Sequence, residues 1–239
     1  MVKRGVTWGL VAVLVAVLGW LGFPYVETAR LSYGVTGIDV SHHQGRIDWP
    51  VVAGSGVVFA YLKASEGGDF VDDSFAANWA AAKAAGLAVG AYHFYRQCKG
   101  GAEQAANFLR LLPPEAGQLP PVIDAEHMGP CPDGTPAMDP ATEIGVFLDV
   151  VAARTGCRPI LYVTPEFDTT YLRGRLQDER FWVRSIFVPP YIRQANWVFW
   201  QYHHDGRRAG IAGPVDLNAF RGDVAGLAEL IRKAGCFQR

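Results

Sequence analysis

The chain has no excess of charge of either sign. Lys and Arg number 22 against 23 Asp and Glu, for a net charge of -1, and no run of cations interrupts the sequence. A nucleic-acid partner is therefore not expected, because phosphate binding needs a concentrated basic face. Internal repeats, low-complexity tracts and charge blocks are absent too, which leaves one folded domain as the simplest organisation. None of the four cysteines falls in a CxxC pair, and the histidines at 42, 43 and 93 lack a ligand spacing such as H-E-x-x-H. A metal site has no support in such a pattern, and no cofactor is expected.

What the chain does have is apolar substance. Half of its 239 residues are hydrophobic, enough for one well-cored domain of about 200 residues and an appendage. The appendage is N-terminal. Lys3 and Arg4 precede Gly5 to Val26, a stretch with no charged side chain. About 20 apolar residues match the thickness of a bilayer, with the preceding cations on the cytoplasmic side. The segment Gly22-Phe23-Pro24-Tyr25-Val26-Glu27 offers no small-x-small pair for cleavage. Residues 1–27 are accordingly read as stub and membrane anchor, 28–35 as linker and 36–239 as the domain, with a cleaved signal peptide as the alternative. Either reading exports the domain to the extracytoplasmic side. Cys98, Cys131, Cys157 and Cys236, an even number after the apolar segment, suit an oxidising compartment.

Short apolar runs predict strands at Gly37–Val40, Val57–Lys63, Ala88–Tyr95, Pro121–Ala125, Pro159–Val163, Phe181–Arg184, Val198–Tyr202 and Val215–Leu217. Their near-continuous hydrophobicity is that of strands buried on both faces. Helical stretches at Asp73–Ala85, Ala102–Leu112 and Pro140–Thr155 lie between them, stopped by Gly86, Pro113-Pro114 and Gly156. The fold class that follows is an α/β barrel of βα units, degenerate in its last three. A doubly wound open sheet is the alternative, but Gly37-Ile38-Asp39-Val40-Ser41-His42-His43-Gln44-Gly45 is no nucleotide loop.

Chemistry concentrates in Val122-Ile123-Asp124-Ala125-Glu126. Residues i and i+2 of a strand share a face about 7 Å apart, so both carboxylates look into one cleft at the C-terminal end of a barrel strand. Close acids cannot both ionise freely, and the one that keeps its proton can act as a general acid. Asp39 and Asp216 sit in similar apolar strand segments, where a charge is costly without a partner. Each is read either as a structural hydrogen-bonding group or as a member of the same acidic mouth.

These motifs resemble glycoside hydrolase family 25, the Chalaropsis-type lysozymes or N-acetylmuramidases. The resemblance runs through Gly37 to Gly45, Tyr61-Leu62-Lys63-Ala64-Ser65-Glu66-Gly67, Gly86 to Phe94, the Asp124/Glu126 pair, Trp200-Gln201-Tyr202 and Val215-Asp216-Leu217-Asn218. It covers residues 36 to about 222. It implies a (β/α)5(β)3 barrel that hydrolyses the β-1,4 bond between N-acetylmuramic acid and N-acetylglucosamine in peptidoglycan glycan strands. By motif position Glu126 matches the general acid/base. Asp124 matches the second catalytic carboxylate, as nucleophile or as support for the substrate's own acetamido group, and Asp39 and Asp216 match flanking acids. Tyr61, Tyr92, Trp182, Trp200 and Tyr202 are candidates to stack on sugar faces. Glu66 is read as a structural acid near the mouth, and His203 and His204 as surface residues. One departure stands out: the family's Trp-x-Ala-x-Tyr is here Trp182-Val183-Arg184-Ser185-Ile186, with an arginine for a small residue. The chain is expected to be a monomer. A catalytically weak peptidoglycan-binding module and a metal-dependent hydrolase remain as other readings.

The barrel also predicts how the cysteines pair. Cys98 follows the third predicted strand and Cys131 the fourth, both on the catalytic face, and consecutive parallel strands are neighbours. Cys157 precedes the fifth strand on the opposite face, near the C-terminal tail. The expected bridges are Cys98–Cys131 and Cys157–Cys236.

Overall fold

The computed structural model describes residues 33–126, 131, 138–186 and 188–238. Nine strands form: β1 (Thr36–Val40), β2 (Val57–Glu66), β3 (Phe70–Val71), β4 (Ala88–Phe94), β5 (Val122–Ala125), β6 (Ile160–Val163), β7 (Phe181–Arg184), β8 (Trp197–Gly206) and β9 (Val215–Phe220). β3 only turns back onto the end of β2, pairing Ser65 with Val71. The other strands run β1-β9-β8-β7-β6-β5-β4-β2, and β1 pairs with β2 to close the ring. The neighbours from β1 through β2, β4, β5, β6 and β7 to β8 are parallel, and β9 alone runs against both of its neighbours. The closed ring excludes the open doubly wound sheet.

The crossovers carry the helices Trp49–Gly54, Phe75–Ala84, Gly101–Leu109 and Pro140–Thr155. Their ends follow local rules. Asp48 and Asp139 accept bonds from Val51 N and Thr142 N, each just before a first turn containing proline. Gly156 ends its helix in the left-handed conformation, at φ 80°. Between β6 and β7 the crossover shortens to the turns Pro165–Phe167 and Asp168–Leu172, among the described residues β7 reaches β8 without a helix, and the helix Val224–Ala234 follows β9. The sequence did not announce β3 or the helix Trp49–Gly54; a two-residue strand and a six-residue helix are too short to show a period.

Inside the ring, the inward set alternates bulky with minimal side chains. A Cβ on Gly37 would fall 2.4 Å from the Phe59 ring, and one on Gly90 would fall 2.3 Å from Tyr61 Cε1. Those two rings, with Phe199, Val122, Ile160 and Trp182, fill the barrel's lower interior. The larger core lies outside the ring, between strands and helices. Both bridges form as the strand order requires: Cys98–Cys131 with Cα atoms 5.5 Å apart, and Cys157–Cys236 at 4.9 Å.

The uncharged segment Gly5–Val26 lies outside the described residues, and among those described no helix is long and apolar enough to cross a membrane.

Candidate active site

Above the filled interior, the C-terminal ends of the strands surround a cavity of about 530 Å³. Asp39, Asp124, Glu126 and Asp216 all line it, together with Lys63, Glu66, Arg96 and Arg184. The parity of each strand puts them there. Asp39 faces Asp216 directly across β1 and β9, while Asp124 lies between Phe94 and Tyr162 on β4 and β6.

Asp39 sits in a closed network. Asn218 Nδ2 and Gln201 Nε2 both donate to its Oδ2, at 2.6 and 3.1 Å. Those amides are themselves held: Trp182 Nε1 donates to Asn218 Oδ1 at 3.0 Å, and the Tyr162 hydroxyl to Gln201 Oε1 at 2.9 Å. Burial pushes the Asp39 carboxyl up to about 6, against the lowering effect of these bonds. Asp216 goes further, to about 9, through burial and then the neighbouring Asp39 charge. Protonated Asp216 thus donates to Asp39, and the two acids act as one hydrogen-bonded unit.

Asp124 and Glu126 have no such support. Asp124 Oδ1 is buried with no hydrogen-bond partner among the described residues. Burial raises Asp124 well above the usual carboxylate range, and the charges of Glu126 and Asp39 add to it. Burial raises Glu126 as well, opposed by Arg184 and Lys63. The nearest cation to Glu126 is Arg184, whose Nη1 is 3.6 Å from Oε2. Paired acids that hold a proton near neutral pH can deliver it to an oxygen leaving group and take it back from water.

On β2, one strand beyond β4 from that pair, Lys63 donates to Glu66 at 2.6 Å, and Arg96 Nε donates to the other carboxylate oxygen at 2.7 Å. Burial pushes Glu66 up, but these bonds outweigh it and hold the carboxyl below its ordinary value. Lys63 also lies over the Phe94 ring, 4.7 Å from its centroid. Glu66, which the sequence marks as a structural acid near the mouth, lines the cavity while accepting both bonds.

Of the five aromatic candidates, Tyr92 and Trp182 line the cavity. Tyr61 lies deeper, fully buried, with its hydroxyl bound to the Pro120 carbonyl at 3.1 Å. Trp200 and Tyr202 face outward into the helix-side core, Trp200 donating to the Ser185 carbonyl at 2.7 Å. Tyr162, passed over in the sequence, lines the cavity instead. His204 is an exposed residue, as expected, and reaches the rim of the cavity. His93 is fully buried between Ser65 Oγ and Gln104 Oε1, at 2.8 and 3.1 Å, and burial lowers it to about 4. It is a neutral packing group. His42 is tied to Asp72 at 2.9 Å.

Comparison with known proteins agrees with this geometry. The model of "Glycosyl hydrolases family 25" matches residues 38–211. Lysozyme M1 of Streptomyces globisporus is 38% identical over 209 residues, covering 82% of this chain and 71% of that protein. Among solved structures, a family 25 glycosyl hydrolase from Bacillus anthracis aligns with a TM-score of 0.76 at 34% identity, over 83% of this chain and 94% of its own. A bacterial lysozyme from Streptomyces coelicolor gives 0.73 and 37%, over 84% and 98%. With the family's signature spanning the barrel and its acids gathered in one cavity, the chain belongs to glycosyl hydrolases family 25.

Proposed function

We propose that this protein is a muramidase that cleaves the β-1,4 bond between N-acetylmuramic acid and N-acetylglucosamine in peptidoglycan, with Glu126 as general acid and base. The observation that carries the reading is the pair of raised, poorly compensated carboxyls on β5 and just after its end, lining an open acidic cleft. The likeness to Lysozyme M1 and to the Streptomyces coelicolor lysozyme supports the substrate.

Asp124 is the second carboxylate. Its orphaned Oδ1 supports the acetamido-orienting role over direct attack, because a substrate N–H would satisfy it. Such a bond favours ionised Asp124 and so transfers the pair's proton to Glu126. The acetamido oxygen then attacks the anomeric carbon, the glycosidic bond breaks, and the leaving oxygen takes the Glu126 proton. Glu126 next removes a proton from the water that opens the cyclic intermediate. This route would be an exception to the simple two-carboxylate scheme. Asp39 and Asp216 hold the opposite wall, and Tyr92, Tyr162 and Trp182 offer apolar surface to the sugars. Glu126→Gln keeps the shape but cannot donate a proton; loss of turnover of about 10²–10⁴-fold is expected. Reducing-end release from purified peptidoglycan measures it, and more than a tenth of wild-type turnover would overturn the assignment.

The domain works on the extracytoplasmic side, tethered through Gly5–Val26. The uncharged length of that segment and the two disulfides support this placement. A tethered protein stays with membranes through a high-salt wash. A soluble form beginning near Arg30 or Leu31 would mean a cleaved signal instead.

A further inference from the structure

Three strong cations line the cleft, and two of them are committed. Lys63 and Arg96 are both bound to Glu66. Arg184 differs. It is the last residue of β7, on the same inward face as Trp182, and its side chain is 36% exposed. Among the described residues it makes no hydrogen bond; its closest carboxylate, Glu126, stands 3.6 Å away. The arginines that stabilise this fold behave otherwise. Arg175 forks onto Asp139 with two bonds of 2.7 Å, and Arg193 grips Asp168 with bonds of 3.0 and 2.5 Å. A guanidinium offers five donors in a rigid plane matched to carboxylates. Held at the mouth beside the reacting pair, Arg184 has most of those donors available to something that enters the cleft.

What enters must be anionic and must lie close to the bond being cleaved. We propose that Arg184 is a specificity-determining residue that binds a carboxylate borne by the glycan beside the scissile bond, and so favours muramyl substrates over uncharged N-acetylglucosamine polymers. The inference rests on the muramidase reading. N-Acetylmuramic acid is N-acetylglucosamine carrying a lactyl ether, and that ether ends in a carboxyl group. The group is a free carboxylate on peptide-free strands; on peptide-bearing strands it is an amide, and the nearest carboxylates belong to the stem. The chemistry Arg184 reads is the same in both cases, and the source differs.

The test compares wild type, Arg184→Gln and Arg184→Lys on three soluble substrates: peptide-free glycan chains, the same chains with the lactyl carboxylates converted to methylamides, and peptide-bearing chains. If Arg184 reads the lactyl carboxylate, wild type prefers the free acid over the methylamide in kcat/KM by about 10–100-fold, the range of one charge-assisted contact. Arg184→Gln abolishes that preference and Arg184→Lys retains part of it, because lysine keeps the charge but loses the fork. A loss confined to peptide-bearing chains also supports the proposal and moves the carboxylate to the stem. Equal slowing on all three substrates would overturn it, since Arg184 would then act only through Glu126. Calorimetric binding of the same chains to Glu126→Gln, with and without Arg184→Gln, separates the two levels of inference. If wild type cleaves none of the chains, the muramidase reading fails, while a carboxylate preference in binding that vanishes with Arg184→Gln still upholds the role of Arg184. Binding that is indifferent to the carboxylate overturns it.

Discussion

The two sides of the cleft treat their acids in opposite ways. On the β1–β9 side the Asp39 carboxylate meets donors from Asn218, Gln201 and the partner acid. On the β5 side, among the described residues, Asp124 keeps a buried oxygen with no partner, and Glu126 has the Arg184 guanidinium at 3.6 Å. Burying a polar group unpaired costs roughly 1–3 kcal/mol. Among the described residues Trp79 Nε1, Tyr95 Oη and Gln118 Oε1 also lack partners, but Asp124 is the acid of this set and the one that lines the cleft, as expected for a site that is completed by its substrate. The satisfied side is suited to setting geometry, and the unsatisfied side is the one proposed to react.

The sharpest break of this contrast is Asp124→Asn beside Asp39→Asn. Asparagine at 124 keeps the shape but removes the ionised acceptor, and turnover should fall by about 10²-fold or more. Asp39→Asn leaves the reacting pair whole and should act more mildly, through orientation. Steady-state kinetics on soluble glycan decides it, and equal losses at the two positions would erase the distinction between the two sides.

The disulfides divide along the same line. Cys157–Cys236 fastens the C-terminal tail to the start of β6, away from the cleft. Replacing both cysteines with serine should cost about 2–5 kcal/mol of stability, measured by denaturant unfolding, with the folded fraction fully active. Cys98–Cys131 joins the loops that follow β4 and β5. Opening it should impair kcat before it lowers the melting temperature.

A smaller effect separates the acids by pH. The folded state holds Asp216 at about 9, against roughly 3.9 in an unfolded chain. Between those values the folded state binds this proton and the unfolded state does not, so the Asp216 contribution to stability is most favourable at low pH and declines as pH rises towards 9. Asp216→Asn removes that slope and can still donate to Asp39. Its melting temperature should match wild type near pH 4 and exceed it by a margin that grows as pH rises towards 8. A gain of the same size at both pH values would detach Asp216 from the linkage.

How much of this was legible in the chain depends on what each residue needs. The eight ring strands were, because strands buried on both faces read as continuous apolar runs. The acids were also visible, since Asp39, Asp124 and Asp216 are costly exceptions inside such runs. Which aromatics face the cleft was not. With both faces apolar, period two gives two sets without saying which is inside. Register shifts also change the parity along a strand, between Lys63 and Ser65 in β2 and between Gln201 and His203 in β8. So Trp200 and Tyr202 share a face, and it is the outer one, while His204 beyond the shift returns to the rim. Arg184 could be noticed as a departure from the family pattern, but its distance from Glu126 needed the closed ring.

The smallest predicted effect also lies at Arg184, and it tests whether the reacting pair feels that charge. Glu126 is raised by burial, and Arg184 is the largest influence pulling it back down. Its guanidinium favours the ionised carboxylate, so it works against a residue that must be protonated to act as an acid. Removing the cation should raise the Glu126 pKa further. Activity is lost on the alkaline side as Glu126 deprotonates, and in Arg184→Gln that limb of the kcat profile should move to higher pH, while Asp39→Asn should displace it less. The shift should be modest, because the two groups are partly exposed and water screens them, and it should shrink further as salt is added. Profiles on the uncharged methylamide substrate isolate this effect from any contact with a glycan carboxylate. An alkaline limb that stays in place there, at low salt, would mean that Arg184 does not tune the acid, and that its uncommitted donors serve the substrate alone.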